Sequence, residues 1–134
     1  MNYSDGEEGL RGARKIPAYQ AAFRLGQAVN EFTLKVYEAK QGGPDIDLLH
    51  RKANLIAAKI AGGHFLGYSR DFLEENIRLC REARLASCEC EAALSRLLKR
   101  KFEPLKVISL REMVQDVINE IDKWIKDLES RIYW

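Results

Sequence analysis

Apolar residues recur every three or four positions in four segments of the chain, and none of these segments alternates as a β-strand does. In the first segment, about 16–40, Pro17 is tolerated in the opening turn of a helix. One face of that helix carries Ala22, Leu25, Val29, Phe32 and Val36. Residues 41–45, Gln-Gly-Gly-Pro-Asp, combine a helix stop with the start of the next helix. The second segment then places on one face Leu49, Ala53, Ile56, Ile60 and Gly63.

The third segment, about 70–101, indicates both of its helix ends by charge. Ser69 is a suitable N-cap, acidic residues crowd the first turns and basic residues crowd the last, which complements the helix dipole. Its predicted core seam is narrow and consists of Phe72, Leu79, Ala83, Ala86, Cys90, Ala93 and Leu97. The small residues in this seam allow neighbouring helices to approach closely.

The fourth segment follows a connector, residues 102–108, that contains Pro104. Ser109-Leu110-Arg111-Glu112 has the spacing of a capping box and predicts the start of the last helix. Its core stripe is Leu110, Val114, Val117, Ile121, Trp124 and Leu128, flanked by Ile118, Ile125 and Ile132. The flank makes the apolar face wider than a single helix seam requires. Either the core of a monomer or a subunit interface would cover it.

Four helices with short connections predict an all-α fold, an up-down-up-down antiparallel four-helix bundle. We expect residues 14–134 to form this single domain, because a chain of 134 residues has the size of one domain. Residues 1–13 are glycine-rich and lack an apolar period, which predicts a flexible N-terminal segment. No apolar run approaches the ~20 residues that cross a bilayer, and the acidic start is unlike a signal peptide. We therefore expect a cytoplasmic protein with no membrane contact.

Residues with catalytic or metal-binding chemistry are dispersed along the chain. A di-iron bundle needs Glu-x-x-His on paired helices, and the nearest match, Asp47-Leu48-Leu49-His50, occurs once. Glu89 and Glu91 face different sides of their helix. The three cysteines, Cys80, Cys88 and Cys90, are interpreted as reduced thiols that pack as small apolar residues. We expect no catalytic residue, no metal and no cofactor, and hence a protein that is not an enzyme.

The net charge of +2 conceals an uneven distribution. Residues 11–40 carry six basic and two acidic side chains, and residues 96–106 carry five and one, a net charge of +4 in each case. In an up-down bundle, the end of the third helix lies at the same pole as the connection between the first two. The sequence thus predicts one basic pole, which suits a phosphate backbone. The alternative is that basic residues at a helix C-terminus only complement the dipole.

Three segments in the centre of the chain form a pattern: residues 56–63 (Ile-Ala-Ala-Lys-Ile-Ala-Gly-Gly), 69–72 (Ser-Arg-Asp-Phe) and 87–94 (Ser-Cys-Glu-Cys-Glu-Ala-Ala-Leu). With Tyr19-Gln20-Ala21-Ala22-Phe23-Arg24-Leu25-Gly26, they resemble the small bacterial four-helix-bundle proteins encoded by intervening sequences of large-subunit ribosomal RNA genes. That superfamily includes the accessory variability determinants of diversity-generating retroelements. The resemblance covers about residues 15–130. Lys59 stands where the family motif, Ile-x-x-Asn-Ile-Ala-Glu-Gly, has Asn, and Gly62 stands where it has Glu.

The resemblance implies a ring-shaped homo-oligomer, a pentamer, with a basic surface or channel. It also implies that the protein binds nucleic acid and assists a reverse transcriptase without catalysing a reaction itself. Our first hypothesis is therefore a non-catalytic accessory protein that binds the backbone of RNA or DNA. Its predicted contacts are Lys59, Arg96, Lys99, Arg100 and Lys101, followed by Lys40, Arg51 and Lys52. The alternative is a structural or protein-interaction helical bundle that does not bind nucleic acid.

Overall fold

The computed structural model describes residues 11–132, and all regular structure within that range is α-helical. The prediction of an all-α fold is confirmed for this part of the chain. A helical turn at residues 11–14 precedes four long helices that pack against one another: Pro17–Glu38 (α1), Pro44–Leu66 (α2), Arg70–Lys99 (α3) and Pro104–Ile132 (α4). Over the same residues, no helix has the combination of length and apolarity that crossing a membrane requires.

The predicted N-terminal segment lies mostly outside the described residues, which begin at residue 11. Residues 11–13 are helical, and Ala13 is fully buried in the core. The buried apolar residues of all four helices belong to one cluster. The division into a flexible segment, residues 1–13, and one domain, residues 14–134, otherwise stays a prediction.

Each long helix packs against two others. α1 contacts α2 and α4, α3 contacts the same two helices, and the most extensive interface joins α2 to α3. Polar pairs cross the seams between them. Tyr37, near the end of α1, donates a hydrogen bond to Asp47, near the start of α2, at 2.6 Å. Arg84 of α3 donates to Asp122 of α4 at 2.6 Å. Because each helix contacts two neighbours, the apolar faces of the four helices meet in one interior cluster.

The predicted core faces of the first, second and fourth helices are confirmed. Every residue assigned to the first two faces is buried, from Ala22 to Val36 and from Leu49 to Gly63. In α4, Ile118 and Ile125 of the wide flank are buried too, and Trp124 and Ile132 are half-buried. The chain's own core therefore covers the flank of α4, and no subunit interface is needed to do so.

The predicted seam of α3 is wrong at its first residue, and its second residue, Leu79, is only half-buried. Phe72 is 48% exposed, and Leu73, Asn76 and Ile77 face the core instead. The buried residues of α3 follow two rows at heptad spacing: Leu73, Cys80, Ser87 and Leu94, and Asn76, Ala83, Cys90 and Leu97. The row of Phe72 flanks this stripe, and on it a small residue such as Ala86 is buried whereas the large side chain of Phe72 is exposed.

The predicted start of the fourth helix is also wrong. α4 begins at Pro104, and Ser109 is an exposed residue within it rather than a cap. Proline has no backbone N–H group. Because the N–H groups in the first turn of a helix have no partner within the helix, proline is well suited to this position. The carbonyl of Glu103 accepts the first bond, from Val107 N at 3.0 Å. The local sequence offered two starts, and the earlier one extends the helix by more than one turn.

Gly63 in α2 lies where α3 approaches closely. A β-carbon at this position would overlap Oδ1 of Asn76, which is fully buried in α3. The Asn76 Nδ2 group donates to the carbonyl oxygen of Gly67 at 3.1 Å. Gly67 has φ +98° and makes the turn after α2. The Gly62–Gly63 pair lies inside the helix. One buried amide therefore packs on α2 and also closes the turn that connects α2 to α3.

We predict that Gly63→Ala destabilises the protein although alanine favours helices. The new methyl group must displace Asn76, and overpacking of this kind costs about 1–3 kcal/mol. Gly62→Ala is the matched control, because a β-carbon there would meet only Leu79 Cδ1 at an ordinary 3.6 Å. The control variant should be more stable than the wild type by about 0.5–1 kcal/mol, because alanine favours the helix more than glycine does. Urea denaturation measures both changes, and equal effects at the two glycines would contradict the contact.

Candidate nucleic-acid interface

Two loops that are distant in sequence lie side by side at one end of the molecule. Phe32, near the end of α1, packs edge-on against Phe102, just after α3, with 6.3 Å between ring centroids. Arg96, near the end of α3, donates to Asp45, at the start of α2, at 2.7 Å. The α1–α2 and α3–α4 connections therefore share one end, and their cations gather there. We name this group the basic pole: Lys40, Arg51, Lys52, Arg96, Lys99, Arg100, Lys101 and Lys106.

The helices α1 and α3 end in the same way, with a lysine in the left-handed conformation. Lys40 has φ +56° and Lys101 has φ +60°. After each lysine, the next N–H bonds five residues back, Gln41 to Val36 and Phe102 to Leu97, both at 3.0 Å. Glycine is the usual residue at such a helix end, because a side chain there is strained. Two lysines thus occupy positions that glycine would fill at lower cost.

Members of the basic pole differ in whether they have an acidic partner. Lys52 pairs with Glu89 at 3.3 Å, and Arg96 pairs with Asp45. Arg100 lies over the Phe102 ring at 5.9 Å from its centroid. The remaining members are exposed and have no carboxylate within 4.0 Å among residues 11–132: Lys40, Arg51, Lys99, Lys101 and Lys106. These five are the cations that an external anion can reach without breaking an ion pair.

Lys59, one of the first contacts predicted from the sequence, is not part of the basic pole. It lies fifteen residues after Pro44, which is about 22 Å along the axis of α2. Its ammonium group pairs with Glu82 of α3 at 3.1 Å. The hydrogen bond from Lys59 lowers the pKa of Glu82. The side chain therefore joins two helices, and the helical rise separates it from the other predicted contacts.

Polar pairs along the α1–α2 seam were not found from the sequence. The bond from Tyr37 to Asp47 raises the pKa of Tyr37 to about 12, so the phenol stays protonated at neutral pH. Thr33 Oγ1 and His50 Nδ1 lie 3.1 Å apart. The side-chain amides of Asn30 and Asn54 bond to each other in both directions, at 3.1 and 2.8 Å. These contacts fix the hairpin that carries Lys40 and Arg51, and no local motif marks residues so far apart.

The thiols are free, and two of them are buried. Burial raises the pKa of Cys80 to about 11 and that of Cys90 to about 12, so both are neutral thiols at physiological pH. Cys88 is half-buried, with the Arg84 guanidinium 3.7 Å from its sulfur. Between residues 11 and 132, no three His, Cys, Asp or Glu side chains converge as metal ligands do.

Comparisons with protein-family models, curated proteins and solved structures found no match to this chain. The family resemblance described from the sequence therefore stays a prediction. The function is inferred from the chemistry of the surface, above all from the unpaired cations of the basic pole.

We predict that Lys101→Gly stabilises the fold by about 1 kcal/mol, because it removes the left-handed strain of a residue with a side chain. Lys126→Gly makes the same chemical change at an exposed position inside α4, and it should lower the free energy of unfolding by about 1 kcal/mol. Thermal or urea unfolding measures the two free energies. A loss of stability in Lys101→Gly equal to that in the control would mean that this helix end is not strained.

Proposed function

We propose that this chain is a non-catalytic, homo-oligomeric accessory protein that binds the phosphate backbone of RNA or DNA through its basic pole. The observation that carries the proposal is the convergence of unpaired cations from two distant loops, among them Lys40 and Lys101. Each lysine or arginine that neutralises a phosphate releases a counterion, which drives association at low salt. A reverse transcriptase as partner, and a pentamer as the assembly, are proposed from the family resemblance alone.

Complementing the helix dipole does not account for the basic pole as a whole. Cations near the last turn of a helix are favourable, and this explains Arg96 and Lys99 in α3. Lys106 is in the first turn of α4, where the dipole disfavours a positive charge, and that turn contains no acidic residue. A cation held against the dipole favours an external anion as its partner.

The strained lysines support the same proposal. Left-handed conformations of non-glycine residues cost of order 1–3 kcal/mol and occur mainly where function requires the side chain. At both helix ends glycine would relieve the strain and remove a positive charge. A requirement for that charge explains why lysine is present at both.

The architecture that we propose for the described helices is an up-down-up-down antiparallel four-helix bundle. The pairs that cross the seams support it. Along the α2–α3 seam, Asp45 pairs with Arg96, Lys52 with Glu89 and Lys59 with Glu82, so one series ascends as the other descends. This arrangement puts the ends of α1 and α3 at one pole.

A protein-interaction function is favoured by a separate surface on α2. Between residues 53 and 66 the polar side chains are Asn54, Lys59 and His64, and each is bonded to another group of the same chain. The outward face of this stretch is apolar, and we name it the outer stripe: Leu55, Ala58, Gly62 and Phe65. Phe65 is 55% exposed, and Phe72 and Leu85 of α3 are also exposed. An apolar face of this kind is typical of a surface that a second subunit covers.

We predict that replacing Lys99, Arg100 and Lys101 with Gln weakens binding to a single-stranded oligonucleotide at low salt. Three lost phosphate contacts should reduce the slope of log affinity against log salt by about 2. Fluorescence anisotropy at a series of salt concentrations measures both quantities.

The matched control replaces Arg81, Lys123 and Lys126 with Gln. It removes the same charge from exposed positions, and the surface ion pairs that it breaks are worth at most about 1 kcal/mol each. Unchanged binding in the first variant, or an equal loss in the control, would contradict a specific role for the basic pole.

We predict that Leu55→Gln with Phe65→Gln dissociates the oligomer. Light scattering should give the wild type a multiple of 15.4 kDa and the double variant 15.4 kDa. Leu34→Gln with Leu105→Gln is the control, because these residues are 58% and 85% exposed and lie outside the outer stripe. A monomeric wild type would contradict the homo-oligomer, and equal dissociation in the control would contradict the outer stripe as the interface.

A further inference from the structure

A cleft at the start of α1 is separate from the basic pole. It has a volume of about 270 Å³, close to the lower end of the range for small-ligand pockets, and its lining residues are Arg14, Tyr19, Gln20, Phe23 and Arg24. We name it the α1 cleft. The basic pole adjoins the opposite end of α1, and this helix of 22 residues is about 33 Å long. A phosphate bound at the pole therefore does not reach the cleft.

The aromatic wall of the α1 cleft is held in place and partly exposed. Tyr19 is buried, and its ring stacks on that of Phe23 with centroids 6.1 Å apart and an interplanar angle of 24°. Phe23 is 48% exposed. The buried tyrosine thus supports one side of the phenylalanine, and the exposed part of the ring is available to a flat ligand.

Two guanidinium groups line the same cleft. The side-chain amide of Gln20 donates to the carbonyl of Arg14 at 2.7 Å, which ties the segment before α1 to the helix. Arg14 and Arg24 are exposed and, among the described residues, have no carboxylate within 4.0 Å. Arg24 also lines a neighbouring cleft with Asp116 and Glu120 of α4, at more than ion-pair distance. The cleft therefore combines an exposed ring with cations that are not neutralised.

We propose that the α1 cleft binds one nucleotide of a single-stranded nucleic acid, with its base on Phe23 and its phosphates at Arg14 and Arg24. The class of ligand rests on the proposed function, but the α1 cleft is a different site from the basic pole. A free phosphate would leave the ring without a contact, and an apolar ligand would leave both guanidinium groups unused. An unpaired nucleotide satisfies both, because its base has a flat face and its sugar carries a phosphate. A duplex keeps its bases stacked inside and gains nothing from Phe23.

The position of the α1 cleft makes binding depend on strand length. A strand that is long enough to reach from the basic pole to the cleft would engage both sites of one chain, and the second contact would become intramolecular. A tetranucleotide would occupy only one of them. Long single strands should consequently bind far more tightly than short ones.

The test measures anisotropy with a long labelled oligouridine and with an RNA duplex of equal length. Phe23→Ala should weaken single-strand binding about fivefold to a hundredfold, the effect of losing one stacked base, and should leave duplex binding unchanged. Phe23→Tyr should restore binding, because it keeps the ring. Leu34→Ala is the matched control, an exposed apolar residue of α1 outside the cleft. A photoreactive uridine strand should cross-link to the tryptic peptide of residues 16–24 in the wild-type protein.

The outcomes separate this site from the basic pole. If Phe23→Ala binds like Leu34→Ala and no cross-link falls in residues 16–24, the α1 cleft is not a nucleotide site. The triple Gln variant at the basic pole would still report on the proposed function. An equal loss for duplex and single strand would also overturn base stacking at Phe23. If the wild type binds neither probe, both proposals fail.

Discussion

The contact between Gly63 of α2 and Asn76 of α3 is the constraint on which the rest of the arrangement depends. Because Gly63 has no side chain, the buried amide of Asn76 reaches the surface of α2 and bonds to the carbonyl of Gly67. A buried amide that lost this partner would cost about 1–3 kcal/mol, so the contact strongly favours one register of α2 against α3. These two helices share the most extensive interface in the molecule, and the register is transmitted along its whole length.

The register of α2 against α3 determines which charged side chains form ion pairs within the chain. It places Lys59 opposite Glu82, Lys52 opposite Glu89 and Arg96 opposite Asp45, so these cations hold helices together. Among the cations without partners, Lys40 and Lys101 lie in the two connecting loops, Lys99 and Lys106 at the helix ends that adjoin them, and Arg51 about two turns into α2. A phosphate backbone would therefore meet the loops rather than the sides of the helices. The exposed apolar residues of α2 lie on a different surface, which would allow a second subunit and a nucleic acid to bind at once.

Periodicity predicted the helices well because each amphipathic face must be buried, and this determined the core of α1, α2 and α4. It failed at Phe72, whose row flanks the buried stripe of α3, and at Ser109, where Pro104 offered an earlier start. The basic pole was predictable from topology and charge. Whether each cation is paired was not, because the partners of Lys52, Lys59 and Arg96 are distant in sequence. The left-handed conformation of Lys40 and Lys101 was not predictable from the sequence either, since glycine is the residue that normally occupies such a helix end.

Hydrogen exchange of the wild-type protein, with and without a saturating single-stranded RNA, tests the central claim most directly, because it maps the contact surface without altering a side chain. If the basic pole binds the phosphate backbone, exchange should slow in the two loops and the helix ends that flank them, residues 37–52 and 96–106. The outer faces of α2 and α3 away from this end should not change. Slowing confined to other segments, or no slowing in either loop under conditions where the RNA binds, would contradict the account.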